Sequence, residues 1–217
     1  MRIIIAEKQL RLLREAALDS FNLEELSKLR TFRAKVNYCR ENLGNPIGSG
    51  SSRMVFQIDD EKVLKLAKNA KGLAQNEYEG CPDYYKEELA IFPKIFEVAD
   101  DYSWIVSEYV LPAKDKDFQK CVGMSFDDWI KVIATLEKMH RNPTYHFWPS
   151  LPEEEIDELV RTNKIVYGFE EYIALYDVAI GDLYGIRNYG LAQRNGQPWI
   201  VLLDSGLSGE IYRQYYR

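Results

Sequence analysis

The sequence predicts an α+β fold in which a small antiparallel sheet is preceded and followed by helices. Residues 47–110 contain short apolar segments separated by polar turns, a spacing typical of hairpin strands. The segments on either side, residues 6–43 and 113–177, repeat apolar residues at the three- and four-residue spacing of helices. With 217 residues, the chain is long enough for one large domain or two small lobes.

The composition excludes several classes of protein. The formal net charge is −6 and the Lys and Arg residues are scattered, which argues against nucleic-acid binding. No segment approaches the roughly 18 apolar residues of a membrane span, and the apolar run at residues 3–6 is too short for a signal peptide. Three dispersed cysteines favour reduced thiols over a disulfide framework or a zinc site. We therefore expect a soluble, cytoplasmic protein without membrane partners.

The N-terminal part is predicted to be helical. Residues 6–19 form one helix by periodicity, and Asn22 is suited to cap another that begins at Leu23. Gly44, followed by an Asn-Pro pair, ends this helical part.

The middle of the chain is predicted to form the sheet and one or two helices. Acidic residues 59–61 are predicted to form the turn of a hairpin between the strands at residues 54–58 and 62–67. Helices are expected over residues 73–80 and 84–90. Strands are expected at residues 54–58, 62–67, 95–98 and 104–110.

The last hundred residues are predicted to be mostly helical. Ser125 is a suitable N-cap for a helix that begins at residue 126. Two short strands, around residues 189–191 and 199–203, are joined by an Asn-Gly turn. Helices are expected over residues 126–140, 152–162 and 169–177.

A glycine loop at residues 47–55 is the first candidate functional segment. Gly48 and Gly50 let backbone N–H groups approach phosphate oxygens, and Ser51 and Ser52 add hydroxyl donors. The loop lacks the Gly-Lys-Ser/Thr ending of a Walker loop, so neither a P-loop NTPase nor a Rossmann domain is predicted. A ligand-free hairpin turn also fits this segment taken alone.

Three further segments carry polar residues suited to nucleotide chemistry. Lys65 lies in an apolar strand and, by alternation, faces away from Leu64 and Leu66. Asp182 and Asn188 follow the helical region, and Asp204 ends an apolar strand. Each segment alone also fits a structural role, as an exposed lysine or as an acidic turn.

The order of the four segments resembles that of the protein-kinase-like superfamily, over residues 44–206. The resemblance implies a bilobal kinase-like fold with a small antiparallel sheet lobe, a reduced, mostly helical C-lobe and an N-terminal helical extension. The implied domains are 1–43 (extension), 44–112 (nucleotide-binding N-lobe) and 113–217 (C-lobe). Only eleven residues follow Gly206, so a shortened second lobe without an activation segment is expected.

The resemblance also implies roles in the first lobe. Lys65 would pair with the nucleotide phosphates and take a carboxylate partner from the following helix. Glu79 is preferred to Glu77 for this role because it is farther from the loop, although the sequence leaves both open. Residues 104–110 resemble the hinge strand, in which Glu108 and Val110 would offer backbone contacts to adenine, and Ser107 would occupy the gatekeeper position.

In the second lobe, the resemblance implies that Asp182 orients the attacking hydroxyl and that Asn188 and Asp204 bind Mg²⁺. Two departures from the protein-kinase pattern stand out. Gly181, rather than Arg, precedes the aspartate, which is similar to small-molecule phosphotransferases. The gap from Asp182 to Asn188 is six positions, one more than the family shows.

The expected function is an ATP- and Mg-dependent phosphotransferase whose acceptor is either a protein Ser/Thr or a small molecule. One alternative is a catalytically weak or inactive pseudokinase that acts as a protein-interaction module. Another is a kinase fold that transfers a different group, such as a nucleotide. Function does not follow from fold, so these alternatives have to be judged at the site.

Overall fold

The protein is described from a computed structural model over residues 21–81, 88–141 and 148–216. The α+β class predicted from the sequence is confirmed, with eight α-helices and two antiparallel sheets in these residues. The chain divides into two compact units. The first contains the described residues up to Gly80 and Ile95–Tyr109, and the second contains Cys81–Lys94 and the described residues from Val110 onward.

The helices and strands have the following bounds. The α-helices are α1 (Leu23–Lys28), α2 (Phe32–Leu43), α3 (Ala70–Gly80), α4 (Asp115–Cys121), α5 (Phe126–Arg141), α6 (Glu153–Thr162), α7 (Lys164–Leu175) and α8 (Gly209–Tyr215). The strands are β1 (Gly48–Ser49), β2 (Arg53–Gln57), β3 (Lys62–Ala67), β4 (Ile95–Val98), β5 (Trp104–Glu108), β6 (Leu111–Pro112), β7 (Tyr189–Arg194) and β8 (Gln197–Leu202). Two 3-10 helices cover Ile180–Tyr184 and Ile186–Asn188.

A five-stranded antiparallel sheet forms the centre of the first unit, in the order β1-β2-β3-β5-β4. Side chains alternate between its two faces. Phe56, Leu64 and Leu66 are fully buried on one face, together with Leu26 of α1 and Cys39 of α2. The N-terminal helices therefore pack on the sheet and share its hydrophobic core.

The opposite face of this sheet carries Lys65. Val55 on β2 and Ile105 on β5 are the register partners of Lys65 on β3. The sequence prediction that Lys65 faces away from Leu64 and Leu66 is confirmed, because those leucines lie in the core with α1 and α2.

The second unit is built around a cluster of aromatic side chains. Trp129, Phe169 and Tyr189 are fully buried, and their rings lie 5.1–6.3 Å apart, centroid to centroid. The three-stranded sheet has the order β6-β7-β8. Asn195 and Gly196 both have positive φ angles, of 52° and 75°, so the predicted hairpin turn is present.

The sequence placed the starts of two helices too late. Helix α3 begins three residues earlier than predicted because Asn69 caps it, accepting a hydrogen bond from the Gly72 N–H at 3.2 Å. Helix α7 begins five residues earlier than predicted because Asn163 accepts from the Ile165 N–H at 2.9 Å. The predicted cap at Asn22 is confirmed by bonds to the first turn of α1 at 2.8 and 3.1 Å.

Some predicted elements lie outside the described residues. The helix predicted over residues 6–19 is one, and most of the helix predicted over 84–90 is another. Helices α4 and α8 were not predicted. None of the helices in the described ranges is long and apolar enough to cross a membrane.

Candidate functional site

The glycine loop is held in place by hydrogen bonds within the first unit. Gly48 lies in β1 opposite Val55. The Gly50 N–H donates to the Arg53 carbonyl at 2.9 Å, and the Gly50 carbonyl accepts from the Lys68 ammonium. The exposed Ser51 accepts at its carbonyl oxygen from the Asn69 amide at 3.0 Å. The loop is therefore tied to the segment that opens α3.

Ser52 ends the loop and is buried. Its hydroxyl donates to the Gln75 side chain on α3, and its carbonyl oxygen accepts from the Lys68 N–H at 2.8 Å. This hydroxyl, predicted from the sequence to be a ligand donor, contributes here to the placement of α3.

Lys65 and Glu79 form a buried ion pair. The Lys65 ammonium donates to Oε1 of Glu79, and each residue is only 6% exposed. Glu77, the other glutamate considered from the sequence, is exposed. The geometry thus selects Glu79 over Glu77 as the partner of Lys65.

Arg53 is a second cation on the same carboxylate. Its Nη1 donates to Glu79 Oε2 at 2.7 Å and to the Asn76 side-chain oxygen at 3.1 Å. Burial acts to raise the pKa of Glu79, but the charges and hydrogen bonds of Arg53 and Lys65 outweigh it and lower that pKa to about 2. Glu79 is therefore a carboxylate at all physiological pH values.

Arg53 was not among the residues selected from the sequence. The available signal was its position at the end of the glycine loop, where an apolar strand begins. An arginine there places a cation at the start of β2, next to the loop.

Ser107 is a buried polar residue on the face of the sheet that carries Lys65. It is fully buried in β5, opposite Val63, and its hydroxyl has no hydrogen-bond partner within the described parts of the chain. Buried hydroxyl groups are usually paired. The hydroxyl of Ser107 is therefore a candidate polar contact for a ligand.

The two proposed backbone contacts of the hinge belong to different units. Glu108 is the last residue of β5 and lies opposite Lys62. Val110 belongs to the second unit, where it packs with Ala192 and Val201. The boundary between the units thus falls within the predicted hinge segment.

Asp182, Asn188 and Asp204 all belong to the second unit, and Asn188 connects the segments that carry the two aspartates. Its side-chain amide donates to the Asp182 carbonyl at 2.7 Å. Its own carbonyl accepts from the N–H of Leu203, the residue before Asp204, at 2.8 Å. Both aspartates are half-buried.

The segments flanking these aspartates are also joined to each other. Val178 forms a bridge with Ser208, and the Gly209 N–H donates to the Asp177 carbonyl at 2.7 Å. Arg141 at the end of α5 donates to the carbonyl oxygens of Val178, at 2.8 Å, and Tyr176. The chain before Asp182 and the chain after Asp204 therefore form one hydrogen-bonded framework.

The predicted metal ligands offer a small donor set. Asp204 supplies a carboxylate, and Asn188, whose amide nitrogen is committed to the Asp182 carbonyl, can offer its amide oxygen. No group of three or more His, Cys, Asp or Glu suited to a metal ion occurs within the described ranges. This donor set fits Mg²⁺, which is commonly held by one or two protein oxygens together with substrate phosphates.

Two tyrosines beside this segment stay protonated at neutral pH. Burial raises the pKa of Tyr189, whose hydroxyl donates to the Leu183 carbonyl at 2.6 Å. Burial and the Glu137 carboxylate raise the pKa of Tyr184, which donates to Glu137 at 2.7 Å. Asp182 is therefore a better candidate for accepting a proton than either phenol.

Comparison with known proteins does not assign the chain to a family. No protein-family model matches it, and a comparison with curated proteins gave no significant match.

Proposed function

We propose that the protein is an ATP- and Mg-dependent phosphotransferase of the protein-kinase-like type, with a bilobal kinase-like fold. The observation that carries this proposal is the Lys65–Glu79 ion pair. Lys65 lies on the third strand of an antiparallel sheet, and Glu79 lies on the helix that follows that strand. Protein kinases place their phosphate-pairing lysine and its glutamate on the corresponding elements.

Lys65 would contribute positive charge to the nucleotide phosphates in this proposal. A lysine ammonium has three donors, so it can contact more than one acceptor at once. Glu79 would hold the lysine in one orientation, which a flexible four-carbon side chain does not adopt unaided. The unpartnered hydroxyl of Ser107 on the same face supports a polar ligand there.

The second unit would supply the remaining chemistry. Asp182 would accept or orient the proton of the attacking hydroxyl, and Asn188 and Asp204 would bind Mg²⁺. When bound with nucleotide, Mg²⁺ would neutralise charge on the phosphates. The framework around Asn188 supports this assignment because it fixes the Asp182 and Asp204 segments relative to one another.

A protein-interaction module without catalysis is the second candidate. One observation favours it: the Gly50 N–H and the Ser52 hydroxyl, two donors expected for phosphate, are engaged within the protein. A loop of this kind can hold α3 in place without binding any nucleotide.

The test compares the thermal unfolding and nucleotide binding of three proteins: wild type, Lys65→Met and Lys62→Met. Lys62 lies on the same strand but alternates to the opposite face, so Lys62→Met controls for the loss of a strand lysine. We expect MgATP to raise the melting temperature of wild type and Lys62→Met by several degrees, but not that of Lys65→Met. Circular dichroism first checks that each variant is folded.

A turnover assay separates the two candidates. Release or transfer of the labelled γ-phosphate by wild type, lost in Asp204→Ala, is the result expected of a phosphotransferase. Nucleotide binding without any transfer supports the inactive module. An absence of any shift with MgATP in wild type would overturn nucleotide binding altogether.

A further inference from the structure

The inner face of helix α3 is polar, although it is buried against the sheet. Gln75, Asn76 and Glu79 are all at most 6% exposed. Gln75 and Asn76 are adjacent, and each lies three or four residues from Glu79, so the three side chains form one stripe along the helix. Burying such a stripe is unfavourable unless each group is paired. The partners of this stripe therefore decide where α3 sits.

Two of the partners come from adjacent residues at the end of the glycine loop. Ser52 pairs with Gln75, whereas Arg53 pairs with Asn76 and Glu79. The Asn76 amide in turn donates to the Tyr102 carbonyl, at 2.9 Å. The loop is thus linked directly to the carboxylate that holds Lys65.

The two oxygens of Glu79 are divided between two cations. Lys65 contacts Oε1 and Arg53 contacts Oε2 at 2.7 Å. Without Arg53, the buried Oε2 would lose a charge-assisted hydrogen bond, and the carboxylate could rotate about its last side-chain bond. Lys65 would then lose its fixed partner.

We propose that Arg53 is a positioning residue that holds Glu79, and through it Lys65, in the orientation used for nucleotide binding. This inference rests on the proposed function and deepens it. It assigns Arg53 no contact with phosphate. Arg53, the second cation on Glu79, comes from β2 of the same sheet. The chain itself therefore supplies the groups that hold the Lys65–Glu79 pair.

A double-mutant cycle with Glu79 tests how Arg53 acts. The MgATP dissociation constant is measured for wild type, Arg53→Met, Glu79→Gln and the double variant. Arg53→Met should weaken binding about tenfold, within the range found for coupled neighbours. In the Glu79→Gln background the same change should have less than about a twofold effect, because the negative charge that Arg53 pairs with is already absent.

Two further variants complete the experiment. Arg53→Lys keeps a cation within reach of Glu79 and should recover part of the affinity. Arg33→Met removes an exposed arginine of α2 and should bind MgATP as wild type does. If Arg53→Met fails to fold by circular dichroism, Arg53→Gln, which can still donate to Asn76, takes its place.

A nucleotide-free measurement provides a second readout. Carbon-13 NMR of the Glu79 carboxyl group should give a pKa of about 2 in wild type. The pKa should be higher in Arg53→Met, because one of the two cations beside the carboxylate is gone. A structural role of Arg53 elsewhere in the sheet would leave this pKa unchanged.

The outcomes distinguish this inference from the proposed function. Equal loss of affinity in both backgrounds would mean that Arg53 contacts the nucleotide itself, and would overturn the positioning role. Arg53→Met that binds as tightly as wild type would overturn the inference while the proposed function stands. A wild type that does not bind MgATP would overturn the proposed function, and the inference with it.

Discussion

The side-chain amide of Asn188 donates a hydrogen bond to the backbone carbonyl of Asp182, at 2.7 Å. The backbone of Asn188 also receives the Leu203 N–H, at 2.8 Å. One residue therefore positions both segments that carry the candidate aspartates. Two consecutive 3-10 helices, Ile180–Tyr184 and Ile186–Asn188, contain Asp182 and Asn188, respectively.

Replacing Asn188 should test its structural role, the hydrogen bond to the Asp182 carbonyl. Asn188→Asp keeps oxygen atoms for a metal but places a carboxylate oxygen against the Asp182 carbonyl, so we expect a loss of about 1–3 kcal/mol in the free energy of unfolding. Asn188→Ala should lose a similar amount. Urea unfolding measures both, with Gln193→Ala, an exposed position on β7, as the control. An Asn188→Asp protein as stable as wild type would contradict the structural role of the Asn188 side chain.

Acid should weaken the contribution of Glu79 to stability. Because its pKa is near 2 in the folded protein and ordinary when unfolded, its contribution is complete above about pH 4.5 and is lost as the pH falls toward 2. At pH 7, Glu79→Gln should lower the free energy of unfolding by about 3 kcal/mol, since two buried cations lose their carboxylate. The difference from wild type should shrink steadily below pH 4.5.

Urea unfolding at pH 7, 5, 4 and 3 measures this difference. Glu77→Gln, two residues earlier and exposed, is the matched control. It should stay within about 0.5 kcal/mol of wild type at every pH, as surface substitutions usually do. A constant difference between wild type and Glu79→Gln across this range would show that the carboxylate is not paired as described.

The close approach of α3 to the sheet depends on Gly72. A Cβ added there would lie 2.3 Å from the Ser52 carbonyl oxygen and 3.0 Å from the Ala67 Cα. Both atoms belong to the backbone, so the helix itself would have to move. Gly72→Ala should therefore destabilise the protein by about 1–3 kcal/mol, despite the better helix propensity of alanine.

Gly50→Ala is the control for this substitution, since its added Cβ would meet nothing nearer than the Arg53 carbonyl at 4.0 Å. Chemical denaturation of both variants gives the comparison. A Gly72→Ala protein as stable as the control would place α3 farther from the sheet than described.

The sequence predicted those features of the fold that local patterns determine. Alternation placed Lys65 on the correct face, and the caps at Asn22 and Ser125 were recognised from residue type. Helices α4 and α8 have only seven residues each, too few to show periodicity.

The candidate site was predictable only in part. Glu79 was chosen from its place in the chain. Arg53 was missed because the sequence does not reveal that α3 buries a polar stripe, and therefore does not reveal that this stripe needs a partner from β2. Gln75, Asn76 and Glu79 have the spacing of an exposed surface, and only the partners supplied by β2 and β3 make their burial favourable. Interactions between distant segments therefore decided which residues form the network.

The reactivity of the cysteines tests the packing of α2 on the sheet. Cys39 is fully buried in this core, and burial raises the pKa of its thiol to about 12, although the Lys35 ammonium acts to lower it. Cys81 is exposed. In two variants that each keep a single cysteine, Cys39 should react with a maleimide at pH 7.5 at least about a hundredfold more slowly than Cys81, because the thiolate is the reactive form. Its rate should rise with urea in parallel with unfolding, and fast labelling of Cys39 without denaturant would contradict the packing of α2.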